Sequence, residues 1–183
     1  MMQQRNRKRF QLILIASLFF LPMLIAGLLV ASGWVPDARS HGEGIVPQRS
    51  FDGIAIALGD GELLQWKDPD WRWSVVALPG RRCGDACQQQ LDLVHRARVS
   101  LNQNAMRVRL LYVGEPPAGD AAETLLSAWQ IGRDVDARLA EWTPDVDDGL
   151  AIVLVKPDGT ALIVYRNGFD ASGLRKDLAK VTK

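Results

Sequence analysis

Two cysteines, Cys83 and Cys87, are the residues of this sequence best suited to chemistry. They are the only cysteines in the chain, and three residues separate them. They follow Trp73–Leu78, a short apolar run of the kind that forms a buried strand, and they precede a segment with apolar residues at helical spacing. Two cysteines four positions apart can form a disulfide when the first lies at a loop–helix junction. The pair is therefore a candidate for thiol–disulfide or metal chemistry.

The start of a helix favours a reactive thiol, because its unpaired N–H groups and positive dipole end stabilise a thiolate. Arg81 and Arg82 would act in the same direction, whereas Asp85 would oppose them. We expect Cys83, nearer the loop, to attack and Cys87 to resolve the mixed disulfide. The alternative is a structural bridge, but closing so short a loop would stabilise the fold by only about 2 kcal/mol. We therefore favour redox or metal chemistry.

Other uses of a cysteine pair need residues that this sequence lacks. Covalent haem attachment requires a histidine directly after the second cysteine, and Gln88 stands there. A tetrahedral zinc site needs four ligands, and the chain has only two histidines, His41 and His95. His95 follows Cys87 by eight residues on the same predicted helix, about 12 Å along its axis. We predict that His95 is a surface or groove residue.

The elements that would position the pair can be predicted from periodicity and turn residues. Predicted strands are 51–58, 62–66, 73–78, 107–113, 150–155 and 160–165. Predicted helices are 86–102, 120–142 (interrupted near Gly132) and 174–181. A crossover helix between two strands implies parallel pairing, and the turn at 157–159 adds an antiparallel hairpin. The predicted fold class is α/β, a thioredoxin-like mixed sheet with flanking helices.

The N-terminus predicts one transmembrane helix ahead of this domain. Residues 10–34 contain no charged residue, and about 20 apolar residues suffice to cross a bilayer. Four basic residues precede this run, so the positive-inside bias keeps residues 1–9 in the cytoplasm. The predicted organisation is a cytoplasmic tip (1–9), an anchor (10–34), a linker (35–50) and a thioredoxin-like domain (51–183). A cleaved signal peptide, ending near Ala31–Gly33, is the alternative.

With either an anchor or a cleaved signal peptide, we expect the domain to be exported to an oxidising compartment, where disulfides persist. We therefore expect an inner-membrane protein with a periplasmic C-terminal domain. Without the basic tip, 18 basic and 21 acidic residues remain, a formal net charge of −3. No basic excess favours nucleic acid, and we expect none as a partner.

Two blocks of this sequence resemble the Sco/SenC family. The first joins Ser74-Val-Val-Ala-Leu78 to Cys83-Gly-Asp-Ala-Cys87, and the second is Val146–Gly159, which ends in Pro-Asp-Gly before a hairpin containing Tyr165. The resemblance implies a membrane-tethered thioredoxin-fold protein that serves cytochrome c oxidase assembly by binding copper or handling thiols. The implied partners are a respiratory oxidase subunit or its assembly factors.

Departures from the family pattern bear on the metal. Family members carry a proline after each cysteine, where this chain has Gly84 and Gln88. The family's copper-binding histidine aligns with Asp148, and no histidine follows His95. A carboxylate is a poor ligand for Cu(I), which prefers soft thiolates. Asp148 could accept a proton from the thiols, but we favour a solvated turn residue.

The leading hypothesis is thus a tethered thiol–disulfide protein with Cys83 and Cys87 as its catalytic residues, and whether it is an enzyme stays open. A copper(I) chaperone is the first alternative, with Cys83 and Cys87 as metal ligands. A thioredoxin-fold scaffold whose cysteines are merely bridged is the second. Trp71, if exposed beside the cysteines, could form a docking patch for a partner.

Overall fold

A computed structural model describes residues 15–25, 27–28 and 40–183 of the chain. Residues 15–25 and 27–28 are helical. Within the described ranges, no helix is both long enough and apolar enough to cross a membrane. The rest of the predicted anchor, the predicted cytoplasmic tip and the first five linker residues lie outside the described residues. The chain divides into two compact units between Arg39 and Ser40, and the second unit carries the cysteine pair.

The second unit is built on a seven-stranded mixed sheet with the strand order β1-β7-β6-β3-β4-β5-β2. The strands are β1 (Glu43–Ser50), β2 (Ile56–Leu58), β3 (Trp73–Pro79), β4 (Val108–Val113), β5 (Gln130–Asp134), β6 (Leu150–Val155) and β7 (Thr160–Tyr165). The helices are α1 (Asp85–Val99), α2 (Asp120–Leu126) and α3 (Ala171–Val181), with short 3₁₀ turns at Asn102–Arg107 and Ala140–Trp142.

The pairing of β3 decides where the cysteines lie. β3 runs parallel to β4 and antiparallel to β6, and all but the first of its residues are buried. α1 connects β3 to β4, and α2 connects β4 to the parallel strand β5. Because α1 begins after the carboxyl end of β3, Cys83 and Cys87 lie at that end of the sheet. The predicted mixed-sheet, thioredoxin-like class is therefore confirmed.

Different structures cover the two faces of the sheet. On one face, buried residues of α1 and α3, including Leu91, Val94 and Leu174, pack against alternate residues of the central strands. An aromatic cluster covers the other face, where the Phe51 ring lies 4.9 Å from that of Trp66 and 4.8 Å from that of Trp142. The described α-helices that enter a core cluster share one face, and the short 3₁₀ turn at Ala140–Trp142 contributes Trp142 to the other.

The predicted linker extends too far toward the C-terminus. Residues 43–50 form β1, which pairs antiparallel with β7, so the ordered domain begins near Ser40 rather than at residue 51. Pro47 favoured a linker over a strand in the sequence, since proline lacks the N–H that strand pairing needs. An edge strand tolerates a proline, because one row of its N–H groups has no partner. The linker prediction is wrong for residues 43–50.

Three other element predictions are also wrong, and the first is the strand 51–58, of which only Ile56–Leu58 forms a strand. Residues 120–142 were predicted to be helical, but only Asp120–Leu126 is an α-helix, and Gln130–Asp134 is the strand β5. β5 is held in place by β4 on one side and β2 on the other. The predicted strand 62–66 is reduced to a single bridge between Ala57 and Leu63. In each case long-range pairing, which local periodicity does not report, decides the structure.

Candidate functional site

Cys83 and Cys87 form a disulfide at the junction of the β3–α1 loop and α1. Their sulfurs lie 2.03 Å apart and their Cα atoms 5.1 Å apart. Cys83 is half-buried in the loop, whereas Cys87, in the first turn of α1, is fully buried against the core. The structure thus brings together the two predicted site residues and leaves Cys83 as the more accessible sulfur, but their catalytic role stays a prediction.

The loop that carries Cys83 is held against the segment 146–149, which precedes β6. The Gly80 N–H donates to the Gly149 carbonyl at 2.9 Å, and the Arg82 N–H donates to the Asp147 carbonyl at 2.9 Å. A Cβ at Gly80 would collide with the backbone carbonyls of Val146 and Asp147, so glycine permits this approach. The two segments share one backbone network, which fixes the surroundings of the disulfide.

Asp148 is the unexpected member of the site. Its carboxylate accepts three backbone N–H bonds, from Gly84 at 2.7 Å, Ala86 at 3.0 Å and Cys87 at 3.1 Å. These N–H groups form the start of α1, where a helix has unpaired donors and a partial positive charge. Asp148 therefore caps the helix that carries the cysteines, although it lies more than 60 residues away in sequence.

The same bonds set the charge state of Asp148. Partial burial raises the pKa of its carboxyl, but the N–H groups of Cys87, Ala86 and Gly84, followed by the charge of Arg82, together hold that pKa below its ordinary value. Asp148 is thus a bound carboxylate and not a solvated turn residue, so the interpretation favoured from the sequence is wrong. An acid with a lowered pKa is also poorly suited to accept a proton.

Gly84 and Asp148 are in close contact, and this contact requires a residue without a side chain at position 84. A Cβ at Gly84 would lie 2.9 to 3.1 Å from the carboxylate atoms of Asp148, closer than ordinary packing allows. A proline at this position would also lack the N–H that donates to Asp148. Both residues depart from the Sco/SenC pattern, and the structure shows that the two departures form one contact. Nothing in the sequence alone indicated that these two departures meet, because 64 residues separate them.

Arg81 and Arg82 are largely exposed and face a neighbouring acid. Their guanidinium groups lie 3.8 and 3.6 Å from the carboxylate of Asp147. Exposed pairs of this kind contribute about 0–1 kcal/mol each. The two arginines therefore form a polar rim beside Cys83, partly neutralised by Asp147.

An open groove lies beside Cys83. It has a volume of about 570 Å³, and its walls come from the cysteine loop and from the loop that follows β4, Gly114–Ala118. Val113, Thr143 and part of the same loop also line an adjoining cavity of about 820 Å³. Cys83, the less buried cysteine of the disulfide, thus lines an open groove.

The other residues considered from the sequence lie elsewhere. Trp71 is exposed, but it precedes β3 and so lies at the opposite end of the sheet, about 20 Å away at 3.3 Å per strand residue. The docking patch considered for Trp71 required it to lie beside the cysteines, and the structure does not place it there. His95 is half-buried on α1, and its buried Nδ1 atom has no hydrogen-bond partner in the described part of the chain.

The donor set around the disulfide does not form a copper site. In the part of the chain that the structure describes, no three His, Cys, Asp or Glu side chains are grouped so that they could hold a metal ion. The Asp148 carboxylate, at the position of the family's histidine, already accepts three N–H bonds. Reduction would free two thiolates, which are soft ligands suited to Cu(I), and among the described residues no His, Asp or Glu side chain joins them as a third ligand.

Solved structures with this fold include Sco proteins. Apo Sco1 from Thermus thermophilus is 17% identical with a TM-score of 0.53, covering 79% of this chain and 99% of its own. Copper-bound ScoI from Arabidopsis thaliana is 13% identical with a TM-score of 0.52, covering 72% and 97%. The bacterioferritin comigratory protein of Xanthomonas campestris is 12% identical with a TM-score of 0.50, covering 79% and 98%. Sequence identities this low show a shared fold and nothing more. The predicted resemblance to Sco proteins is therefore confirmed for the fold.

No curated protein matches the chain. Residues 73–183, more than half of its length, match a family model described as "Transmembrane-like, thioredoxin-like, C-terminal domain". This range begins with β3 and includes the cysteine pair, Asp148 and the hairpin of β6 and β7. The chain therefore belongs to the transmembrane-like, thioredoxin-like C-terminal domain family.

Proposed function

We propose that this chain is a membrane-tethered, periplasmic thiol–disulfide protein that assists the assembly of cytochrome c oxidase. The observation that carries the proposal is the disulfide itself, because its half-buried sulfur opens onto a groove at the start of a helix and its other sulfur is buried. A bridge that served stability alone would more naturally join distant segments, since the loop-closure contribution grows with loop length.

The difference in burial between Cys83 and Cys87 supports the roles proposed for their sulfurs. In the dithiol form, the Cys83 thiolate attacks one sulfur of a client disulfide, bonds to it and displaces the other client sulfur as a thiolate. Cys87 then attacks the Cys83 sulfur, forms the intramolecular disulfide and releases the client as a dithiol. Two electrons and two protons pass to the client, and an external dithiol donor restores the pair.

Redox titration tests this activity. The full-length protein in detergent is equilibrated with glutathione buffers, and free thiols are trapped with a maleimide and counted by mass. The proposal predicts a two-electron transition near the potential of the compartment. A pair that stays oxidised or stays reduced across the whole range of buffers excludes a redox role.

Trapping of a client distinguishes the two cysteines. Cys87→Ser leaves the attacking thiol but removes the resolving one, so a mixed disulfide with the client should accumulate on Cys83. Cys83→Ser is the matched control and should trap little, because its remaining thiol is buried. Non-reducing electrophoresis of membranes followed by mass spectrometry identifies the partner. Equal trapping by the two variants would contradict the assigned roles.

The tether and its orientation belong to the proposal. They are supported by the uncharged run 10–34, the basic residues before it and the words "transmembrane-like" in the family description. A tethered domain meets a membrane-embedded client at high effective concentration. Alkaline extraction of membranes and protease digestion of spheroplasts test it: the chain should stay in the membrane, and its C-terminal domain should be digested from outside.

The oxidase as client follows from the Sco/SenC resemblance. Cells that lack the chain should lose cytochrome c oxidase activity, and the wild-type chain should restore it. The double variant Cys83→Ser/Cys87→Ser should fail to restore it while reaching the same level in the membrane. Full restoration by that variant would favour a scaffold whose cysteines are merely bridged.

Copper(I) delivery is the second candidate, supported by the fold shared with copper-bound ScoI. After reduction, the two thiolates would be its only ligands among the described residues near the site. Titration of the reduced protein with Cu(I) against a bathocuproine-type competitor tests this function. An affinity no higher than that of an isolated dithiol peptide would exclude it.

A further inference from the structure

Asp148 is attached to the backbone of the cysteine loop, and the thiol–disulfide exchange described above does not use its side chain. Resting on that proposed function, we propose that Asp148 is a positioning residue that holds the loop in the geometry of the disulfide and makes the disulfide harder to reduce. The carboxylate would thereby set the redox range in which the pair can act.

The geometry of the contact restrains the cysteine loop. One oxygen, Oδ1, accepts from the N–H of Gly84, next to Cys83, and from the N–H of Cys87 itself. The two ends of the disulfide loop are thus bound to a single atom. A dithiol loop held in this way has already lost much of the backbone freedom that closure of the disulfide removes. Restraint of the dithiol form therefore favours the disulfide.

The charge of the Asp148 carboxylate acts in the same direction as its geometry. A thiolate at the start of a helix is normally stabilised by the unpaired N–H groups, and a stabilised reduced form makes a disulfide easier to reduce. Here three of those N–H groups already donate to Asp148. The carboxylate also repels a thiolate, whereas the disulfide carries no charge. Both effects favour the disulfide over the reduced pair.

Gly84 provides an independent way to disturb the contact. Its φ of −84° is accessible to alanine, so Gly84→Ala creates no left-handed strain. The added Cβ would lie 2.9 to 3.1 Å from the carboxylate atoms of Asp148 and push them away from the helix. This variant keeps the charge of Asp148 but weakens its bonds to the loop.

The test measures the equilibrium in which two glutathione thiols reduce the Cys83–Cys87 disulfide to a dithiol and become oxidised glutathione. The full-length chain in detergent is used as wild type and as Asp148→Ala, Asp148→Asn and Gly84→Ala. The matched control is Asp147→Asn, which removes an equal charge one residue away, from a carboxylate that pairs only with exposed arginines. Each variant is checked for a wild-type circular dichroism spectrum.

We expect Asp148→Ala to make the disulfide roughly tenfold easier to reduce, a rise in reduction potential of about 30 mV for this two-electron couple. Asp148→Asn keeps an acceptor oxygen but loses the charge, and Gly84→Ala keeps the charge but loosens the contact, so both should shift in the same direction by a smaller factor. Asp147→Asn should stay within about twofold of wild type, as an exposed pair contributes little.

The outcomes separate this inference from the function on which it rests. If the wild-type pair does not cycle at all, the proposed redox function fails and this inference fails with it. If the wild type cycles but Asp148→Asn and Gly84→Ala stay within twofold of it, or become harder to reduce, only the role assigned to Asp148 is wrong. These two variants decide the question even if Asp148→Ala does not fold.

Discussion

At the scale of single residues, the buried carboxylate of Asp177 performs a structural task far from the disulfide in sequence. Asp177 on α3 accepts the backbone N–H of His41 at 2.6 Å, the Tyr165 hydroxyl at 2.9 Å and the Lys180 ammonium at 3.1 Å. These partners come from the start of the domain, from β7 and from α3. One side chain thus joins the N-terminal edge of the domain to its last helix.

We predict that Asp177→Asn lowers the free energy of unfolding by about 1.5–3 kcal/mol, the usual range for hydrogen bonds to a charged group. Burial raises the pKa of Asp177, but the His41 N–H, Lys180 and Tyr165 outweigh it and hold the pKa below its ordinary value of 3.8. A lowered pKa means that the carboxylate stabilises the fold above about pH 4 and that this contribution is lost as the pH falls further.

Urea denaturation of wild type and variant at pH 7 and pH 3 measures this effect. The difference between the two proteins should be large at pH 7 and smaller at pH 3. Asp92→Asn is the control, because Asp92 forms an exposed pair with Arg96 that is worth only about 0.3–0.5 kcal/mol. A loss of equal size in both variants would contradict the special role of Asp177.

At the scale of elements, a partly buried arginine attaches an irregular segment to the sheet. Arg109 on β4 donates to the Ser74 hydroxyl at 2.6 Å and to the carbonyls of Gln65 and Trp66 at 3.1 and 3.2 Å. It also lies 3.4 Å from the carboxylate of Asp68, whose side chain is fully buried. The segment before β3 has little regular structure, so these bonds replace a strand pairing.

We predict that Arg109→Met destabilises the fold by about 3–5 kcal/mol, because removal of one partner leaves a buried charge without full compensation. Arg72 also pairs with Asp68, at 3.0 Å, and should keep the loss toward the lower end of that range. Thermal and urea unfolding of the variant measure the change. Arg49→Met, which removes an exposed pair with Glu141, is the matched control and should alter stability by less than about 1 kcal/mol.

The elements that the sequence predicted correctly are those in which local pattern and tertiary burial agree. β3, β4, β6 and β7 are short apolar runs between turn residues, and each is largely buried. β5 is different, since Gln-Ile-Gly-Arg-Asp has one large apolar residue and becomes a strand only because β4 and β2 pair with it. Local periodicity could not have predicted that pairing.

The candidate site also combines local features, which the sequence shows, with a long-range contact, which it does not. The cysteine spacing and its place between a buried strand and a helix are local features, and both could be predicted. The contact of Asp148 with the start of α1 joins residues more than 60 positions apart and depends on the antiparallel pairing of β6 with β3. The alignment with a known family placed Asp148 at a functional position but could not show what its carboxylate binds.

At the scale of the whole molecule, the correction to the linker changes where the folded domain starts. β1 adds an edge strand beside β7, and His41 contacts Asp177 and packs against Gly173, where a Cβ would collide with it. Ser40–Lys183 is accordingly one compact unit. Residues 43–50, which the sequence assigned to a linker, therefore belong to the folded domain.

Two truncated chains test this boundary. We predict that residues 40–183 unfold in one cooperative transition, with the disulfide formed. Residues 51–183, the domain as first predicted from the sequence, should be less stable by several kcal/mol, because β7 loses its partner strand and the buried carboxylate of Asp177 loses a hydrogen bond. Urea unfolding followed by circular dichroism and by tryptophan fluorescence measures both.

A third chain, residues 43–183, separates the two contributions. It keeps β1 but lacks His41, so its stability should fall between those of the other two and close to that of 40–183 carrying Asp177→Asn. If residues 51–183 were as stable as residues 40–183, β1 would contribute nothing to the stability of the domain. The linker would then end at residue 50, as the sequence predicted.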